Sequence, residues 1–150
     1  MAVAVTVLMF AGFAKASSTT ALTQTESSLL GAMNTVRMAH GLQPLHADPR
    51  LERAARGHSS RMLRTGTFAH GAFGTRIRSV GVRSPRIGEN LAWSAGLSTA
   101  RAIVSMWLAS PAHRANLLHP GYRLVGVGAL RGCFDGRRRT LMVTTDFAGR

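Results

Sequence analysis

Apolar residues recur along this chain with two different periods, and the change of period divides it. From about Glu26 to Ala39, the residues Leu29, Leu30, Met33 and Val36 keep to one face of a 3.6-residue repeat, which predicts a helix lying on a core. Gly41 stops it, with Pro44 shortly beyond. Asp48-Pro49 predicts the start of a second helix: the aspartate can cap it, and proline has no N–H to leave unpaired at the first helical position. Its stripe is Leu51, Ala54, Ala55, His58 and Met62, with Arg50, Arg53, Arg56 and Arg64 largely on other faces and Gly66 at the exit. His58 on that stripe reads as a hydrogen-bonded core histidine, whereas Ser59 and Ser60 read as facing solvent.

Thr67 to Gly74 reads as loop, Thr75 to Ser79 as a short helical turn, and Ile87 to Trp93 as an extended strand. Ser98 or Thr99 can cap a further long helix with the stripe Ala100, Ile103, Val104, Trp107 and Leu108. Ser110-Pro111 then opens a short helix that carries His113 and is anchored by Leu117 and Leu118. After Pro120-Gly121 the period falls to two. Leu124, Val125, Val127 and Ala129 predict a strand whose Gly126 and Gly128 allow another element to come close. Leu141, Val143, Thr145 and Phe147 alternate with Met142, Thr144 and Asp146 in a second strand. The two strands are expected to pair as an antiparallel hairpin around a loop through Asp135-Gly136 and Arg137 to Arg139. Helices first and strands mainly last give an α+β class and argue against a βαβ nucleotide-binding fold.

The N-terminus follows neither period. Ala2 to Phe13 is almost wholly apolar or small, and Ala14-Lys15-Ala16 offers the small-x-small pattern of a signal-peptidase site, so residues 1–16 are read as a signal peptide. The run is too short for a membrane span, which needs about 20 apolar residues. Residues 17–27 are read as a flexible segment and 28–150 as one domain, which suits a chain of 150 residues.

The formal charge of +13 rests on arginine, with Lys15 the only lysine. It predicts salt-sensitive attraction to anionic envelope polymers. Sequence-specific nucleic acid binding is not expected, since no recognised module accompanies the charge. Cys133 is alone and can form no internal disulfide. His40, His46 and His119 lie near turns and read as ordinary surface histidines.

Candidate chemistry gathers at Thr67-Phe68-Ala69-His70, Gly88-Glu89-Asn90 and Ser110-Pro111-Ala112-His113-Arg114-Ala115-Asn116. Two imidazoles beside a carboxylate suit a divalent metal such as zinc, with His70 and His113 as ligands and water completing the shell. The same trio can instead be structural, with Glu89 accepting hydrogen bonds from both rings. A serine mechanism on Ser110 and His113 is weaker, because Ser110 is better placed to cap the helix that carries His113.

In order and spacing these motifs, together with Asn34-Thr35-Val36-Arg37, Gly126-Val127-Gly128 and Asp146-Phe147, resemble the CAP superfamily, the SCP-like extracellular domain of cysteine-rich secretory proteins, antigen 5 and pathogenesis-related proteins of group 1, in its bacterial form. The resemblance implies an α-β-α sandwich with a small central antiparallel sheet between helices. It also implies a surface cleft with a tetrad of two histidines and two glutamates. His70, Glu89 and His113 match three of these, while Ser110 stands where the second glutamate is expected. The implied function is a secreted or cell-envelope binding module for a lipid, glycan or protein ligand, acting as a monomer. The alternatives are a hydrolase using a metal-bound water with Glu89 as base, and a basic protein that binds anionic polymers, nucleic acid included.

Overall fold

A computed structural model describes residues 21–96 and 98–149, so the expected signal peptide lies outside the described residues. Helix α1 runs Gln24–Ala39 and opens with a reciprocal cap: Thr23 Oγ1 accepts the Glu26 N–H at 3.3 Å, and Glu26 Oε2 accepts the Thr23 N–H at 2.8 Å. Gln24 and Thr25, expected to be flexible, are therefore helical, held by a Thr-x-x-Glu signature. Strand β1 (His46–Ala47) leads to α2 (Pro49–Thr65), where the Asp48 carboxylate accepts the N–H groups of Arg50 and Leu51, and Gly66 ends the helix in the left-handed region at φ 63°. Then come α3 (Phe73–Ser79), β2 (Ile87–Ser94), α4 (Ala100–Ala109, capped by Thr99) and α5 (Pro111–Leu117).

The hairpin pairs β3 (Tyr122–Phe134) with β4 (Arg137–Gly149) through Asp135-Gly136 alone. Both turn residues have positive φ, 51° and 68°, the tight turn whose twist matches that of paired strands. Arg137 to Arg139, expected in a loop, thus begin β4.

The sheet order is β1-β3-β4-β2. Pairing is antiparallel for β2/β4 and β3/β4, but β1 lies parallel to β3, so the sheet is mixed where a purely antiparallel one was expected. Parallel neighbours need a long crossover, and everything from α2 to α5 supplies it.

Helices cover both faces. On one, Leu29 and Met33 of α1, with Ile103, Val104 and Trp107 of α4, pack on Val125, Val127, Val143 and Phe147. On the other, Leu51 and Ala54 of α2 meet Ile77 of α3 and Ala148 of β4. Here Gly126 and Gly128 have the predicted role: a side chain at either would overlap the backbone of α2 at Leu51 or Ala55. So near a helix leaves room only for a small polar residue between layers. Ser59 fills it, fully buried, donating to Gly128 O at 2.9 Å and bonded to Thr144 Oγ1 at 2.9 Å, and does not face solvent.

One ion pair crosses this framework. Glu26, fully buried, meets Arg56 of α2 through Nη2 at 2.6 Å and Nε at 2.8 Å, and accepts the Ala129 N–H of β3 at 3.3 Å. Burial pushes the Glu26 carboxyl up, but Arg56 and the N–H donors outweigh it and hold its pKa below the ordinary value. Among the described residues no helix is long and apolar enough to cross a membrane.

Candidate functional site

Side chains alternate along β2, so Glu89 points to the α2/α3 face and Asn90 to the α4/α5 face. Glu89 is 5% exposed and is the hub of the site. His70, exposed in the α2–α3 loop, donates Nδ1–H to Glu89 Oε1 at 2.6 Å. Arg76 of α3 donates from Nη2 to Glu89 Oε2, and the same nitrogen is 3.7 Å from Asp146 Oδ1. His58 Nε2 lies 4.0 Å from Glu89 Oε2 and donates to Ala69 O at 2.9 Å, which pins the loop that presents His70.

Asp146 is the cross-strand partner of Glu89 on β4 and is fully buried, and neither of its carboxyl oxygens has a hydrogen-bond donor among the described residues. Burial and then the Glu89 charge push its pKa well above the usual carboxylate range, against the pull of Arg76. Burial raises Glu89 as well, with Arg76 opposing. Charging two carboxyls beside a single guanidinium is unfavourable at this depth, so the pair keeps a proton. It rests on Asp146, because Glu89 already has a donor on each oxygen. Burial, and after it the Arg76 charge, lowers the His58 pKa to about 4, leaving that imidazole neutral at physiological pH.

His113 reaches the site from the other side of edge strand β2. Asn90 Nδ2 donates to His113 O at 3.0 Å, and Asn116 Nδ2 donates to Glu89 O and Asn90 Oδ1, each at 3.0 Å. Behind them Trp107 Nε1 donates to Leu91 O at 3.0 Å. These bonds lace α5 and α4 to β2. His113 is half-buried, and burial and then the charge of His70 lower its pKa. Ser110 occupies the cap position of α5, yet its side chain makes no capping hydrogen bond; its carbonyl accepts the Arg114 N–H at 2.8 Å instead. The first turn is closed by backbone, and the expected side-chain cap is absent.

Arg76 was not singled out by sequence reasoning, Asp146 was read only as part of a strand and of the family resemblance, and the link of His58 to the His70 loop was not foreseen. An aromatic ledge was also missed. Phe68, 41% exposed, meets Phe134 edge-on at 6.5 Å, and Trp93 lies 5.3 Å from Phe134, giving an apolar surface two residues from His70. No group of three or more metal-ligating side chains forms among the described residues. What the site offers a metal is two imidazoles, one of them oriented through Nδ1 by a buried carboxylate, as ligating histidines commonly are.

Residues 30–147 match the family model described as the cysteine-rich secretory protein family, CAP. The chain is 32% identical over 108 residues to the uncharacterised Bacillus subtilis protein YkwD, covering 69% of this chain and 41% of YkwD. It is 33% identical over 114 residues to the uncharacterised membrane protein YlbC of that organism, covering 73% of this chain and 32% of YlbC. It thus spans less than half the length of the curated relatives it matches. Among solved structures, an extracellular SCP-domain protein from Bacillus anthracis superposes with a TM-score of 0.70 at 28% identity, covering 84% of this chain and 40% of that one. An outer surface protein of Borrelia burgdorferi shares the fold, with a TM-score of 0.69 at 24% identity over 81% of this chain and 90% of that one. With its α-β-α layers, the hairpin at its centre and a match over nearly the whole described region, the chain belongs to the CAP family of cysteine-rich secretory proteins.

Proposed function

We propose that this domain works outside the cytoplasm, secreted or on the cell envelope, as a binding module whose ligand site is the cleft of His70, Glu89, His113 and Ser110. The observation that carries this reading is the exposed His70 ring held by buried Glu89 through Nδ1, which leaves Nε2 available to a ligand. The apolar ledge at Phe68 supports a lipid, glycan or peptide ligand with a nonpolar portion beside that nitrogen. The apolar run of residues 1–16 and the extracellular Bacillus anthracis relative support export.

A divalent metal such as zinc fits the same residues. His70 Nε2 and the His113 ring would hold it, Glu89 would act behind His70, and the metal would supply a Lewis-acidic contact for a ligand oxygen. Glu89 is poorly placed to serve as a hydrolytic base, because both oxygens are engaged by His70 and Arg76 and a base must release one of them. Binding without turnover is therefore the preferred reading over a hydrolase.

Calorimetry with zinc chloride at neutral pH tests the site on the wild type and on His70→Ala and His113→Ala. Two imidazoles without a thiolate predict a dissociation constant on the order of micromolar, lost in both variants and weakened by acid. Equal uptake by all three proteins, or none by the wild type, would remove the metal from the cleft. Robust hydrolysis of peptides, esters or cell-wall fragments that Glu89→Gln abolishes would overturn the binding-only reading.

A further inference from the structure

The charge of the chain is distributed more unevenly than its composition implies. Of its six acidic residues, Glu26, Asp48, Glu52, Glu89 and Asp146 are buried, and only Asp135, in the hairpin turn, is exposed. The buried acids are engaged with Arg50, Arg56 and Arg76, so their negative charge is neutralised internally.

At one place the surface becomes concave. An open groove of about 770 Å³ lies at the end of the sheet where β3 begins, and its lining includes His46, Arg86, His119 and Arg123, with no acidic residue among the described residues. It shares no residue with the cleft of His70, Glu89 and His113.

Three features make it more than a patch of surface charge. First, beneath it lies Arg37, fully buried, donating to the carbonyls of Gln43, Leu117, His119 and Tyr122 at 2.8–3.2 Å. No carboxylate pairs with it among the described residues, so its charge is hydrogen-bonded but not cancelled. Arg123 acts on it from the groove: burial and then the Arg123 charge lower the Arg37 pKa.

Second, His119 is held in one orientation and one tautomer. Its ring stacks on Tyr122 at 4.4 Å, Tyr122 stacks on Phe147 at 5.4 Å, and Nδ1 accepts the Gly121 N–H at 3.0 Å. The neutral ring then carries its proton on Nε2, as a donor. Expected as an ordinary surface histidine near a turn, it is half-buried and held by these contacts. Third, Arg123 is tethered through Nη1 to Pro120 O at 2.7 Å and Tyr122 O at 2.8 Å, so the guanidinium is ordered before any ligand arrives.

We propose that this groove is a binding site for a phosphate group, seated by Arg123 and the Nε2–H of His119, with Arg86 lining the same groove. Arginine forks and a neutral N–H donor suit an anion with several acceptor oxygens, and phosphate offers more of these than a carboxylate. The group can belong to a small phosphate ester or to a phosphodiester polymer; both use the same contacts, and the volume admits the carbon skeleton attached to it.

The difficulty for any test is that so basic a protein attracts polyanions diffusely. Two variants separate the cases: Arg86→Gln/Arg123→Gln removes two charges from the groove, whereas Arg137→Gln/Arg138→Gln/Arg139→Gln removes three from the exposed start of β4. Titration with inorganic pyrophosphate and, in parallel, with poly(glycerol phosphate) is read by calorimetry at physiological salt. A groove predicts that the double variant loses about tenfold in pyrophosphate affinity, the strength of a charge-assisted hydrogen bond or more, while the triple variant loses less than about threefold. Polymer binding with the same dependence would mark a phosphodiester source, and pyrophosphate binding alone a small ester. An equal or larger loss in the triple variant, or no saturable pyrophosphate binding by the wild type, would overturn the proposal. If the double variant does not fold, amide shifts of the wild type decide: pyrophosphate must perturb Gly121 and Leu124 before Asp135 and Gly136. Zinc binding at His70 and His113 can fail without affecting this result.

Discussion

The molecule holds two buried clusters of acid and arginine, and they are built to opposite effect. At Glu26 the carboxylate itself is fully satisfied: Arg56 binds both oxygens, the Thr23 and Ala129 N–H groups take what remains, and the carboxyl pKa is lowered, while the neighbouring Glu52 keeps only a longer contact to Arg56 at 3.9 Å and is raised by burial. At Glu89 the balance is incomplete, because Asp146 adds a second carboxyl with no hydrogen-bond donor of its own and the single Arg76 must serve both. The first cluster lies within the core and joins α1, α2 and β3. The second opens on one side to an exposed histidine. A central carboxylate with all its donors inside the core goes with a structural joint, and a carboxyl pair of which one member lacks any donor goes with the cleft proposed as a ligand site.

The sharpest way to break this contrast is to remove Arg56. Arg56→Ala leaves Glu26 charged and buried, and should cost about 3–5 kcal/mol in urea unfolding at neutral pH. A loss under about 1 kcal/mol would mean that the joint is not structural.

The next effect belongs to the other cluster and depends on pH. The His58 pKa falls to about 4 on folding, from an ordinary value of 6.5. Below 6.5 the unfolded chain takes up a proton that the folded one refuses, so this contribution is complete above pH 6.5 and is lost as pH falls toward 4. For a side chain 5% exposed, the loss across that window is about 3 kcal/mol, and His58→Gln should flatten the curve by that amount. Parallel curves for the two proteins would show that His58 is not held neutral.

Asp146 has the reverse sign. Its folded pKa is raised, so its contribution is present below the ordinary carboxylate range and is lost as pH rises through the folded value. Asp146→Asn mimics the protonated acid. It should match the wild type within about 1 kcal/mol near pH 4 and gain on it progressively toward pH 8, as read by melting temperature. A difference independent of pH would leave no proton in the Glu89 cluster.

The unevenness of what could be read from sequence has a physical origin. Asp48-Pro49, Gly66, the stripe of α2 and the alternation of β4 were legible because each is a local rule about caps, turns or periodicity. His70, Glu89 and His113 were legible through their motifs. Arg76 was hidden among eighteen arginines with nothing local to mark it. Asp146 occupies a polar position of an alternating strand, the pattern of a residue facing water; it is buried because α2 and α3 cover that face. The same cover deceived the reading of Ser59, and the Thr23-Glu26 cap was overlooked in a stretch whose Ser/Thr content suggested mobility.

Gly126 and Gly128 set α2 against β3 backbone to backbone, without intervening side chains. That contact acts as a hard stop. Changes of side-chain size among the α1 and α4 core residues can shift those helices, but they have little leverage on the separation of α2 from the sheet, since nothing compressible lies between. His58, the His70 loop and Asp146 are all referenced to this stop. The two faces of the domain are therefore free to diverge at different rates: one can drift in residue volume while the other keeps its dimensions.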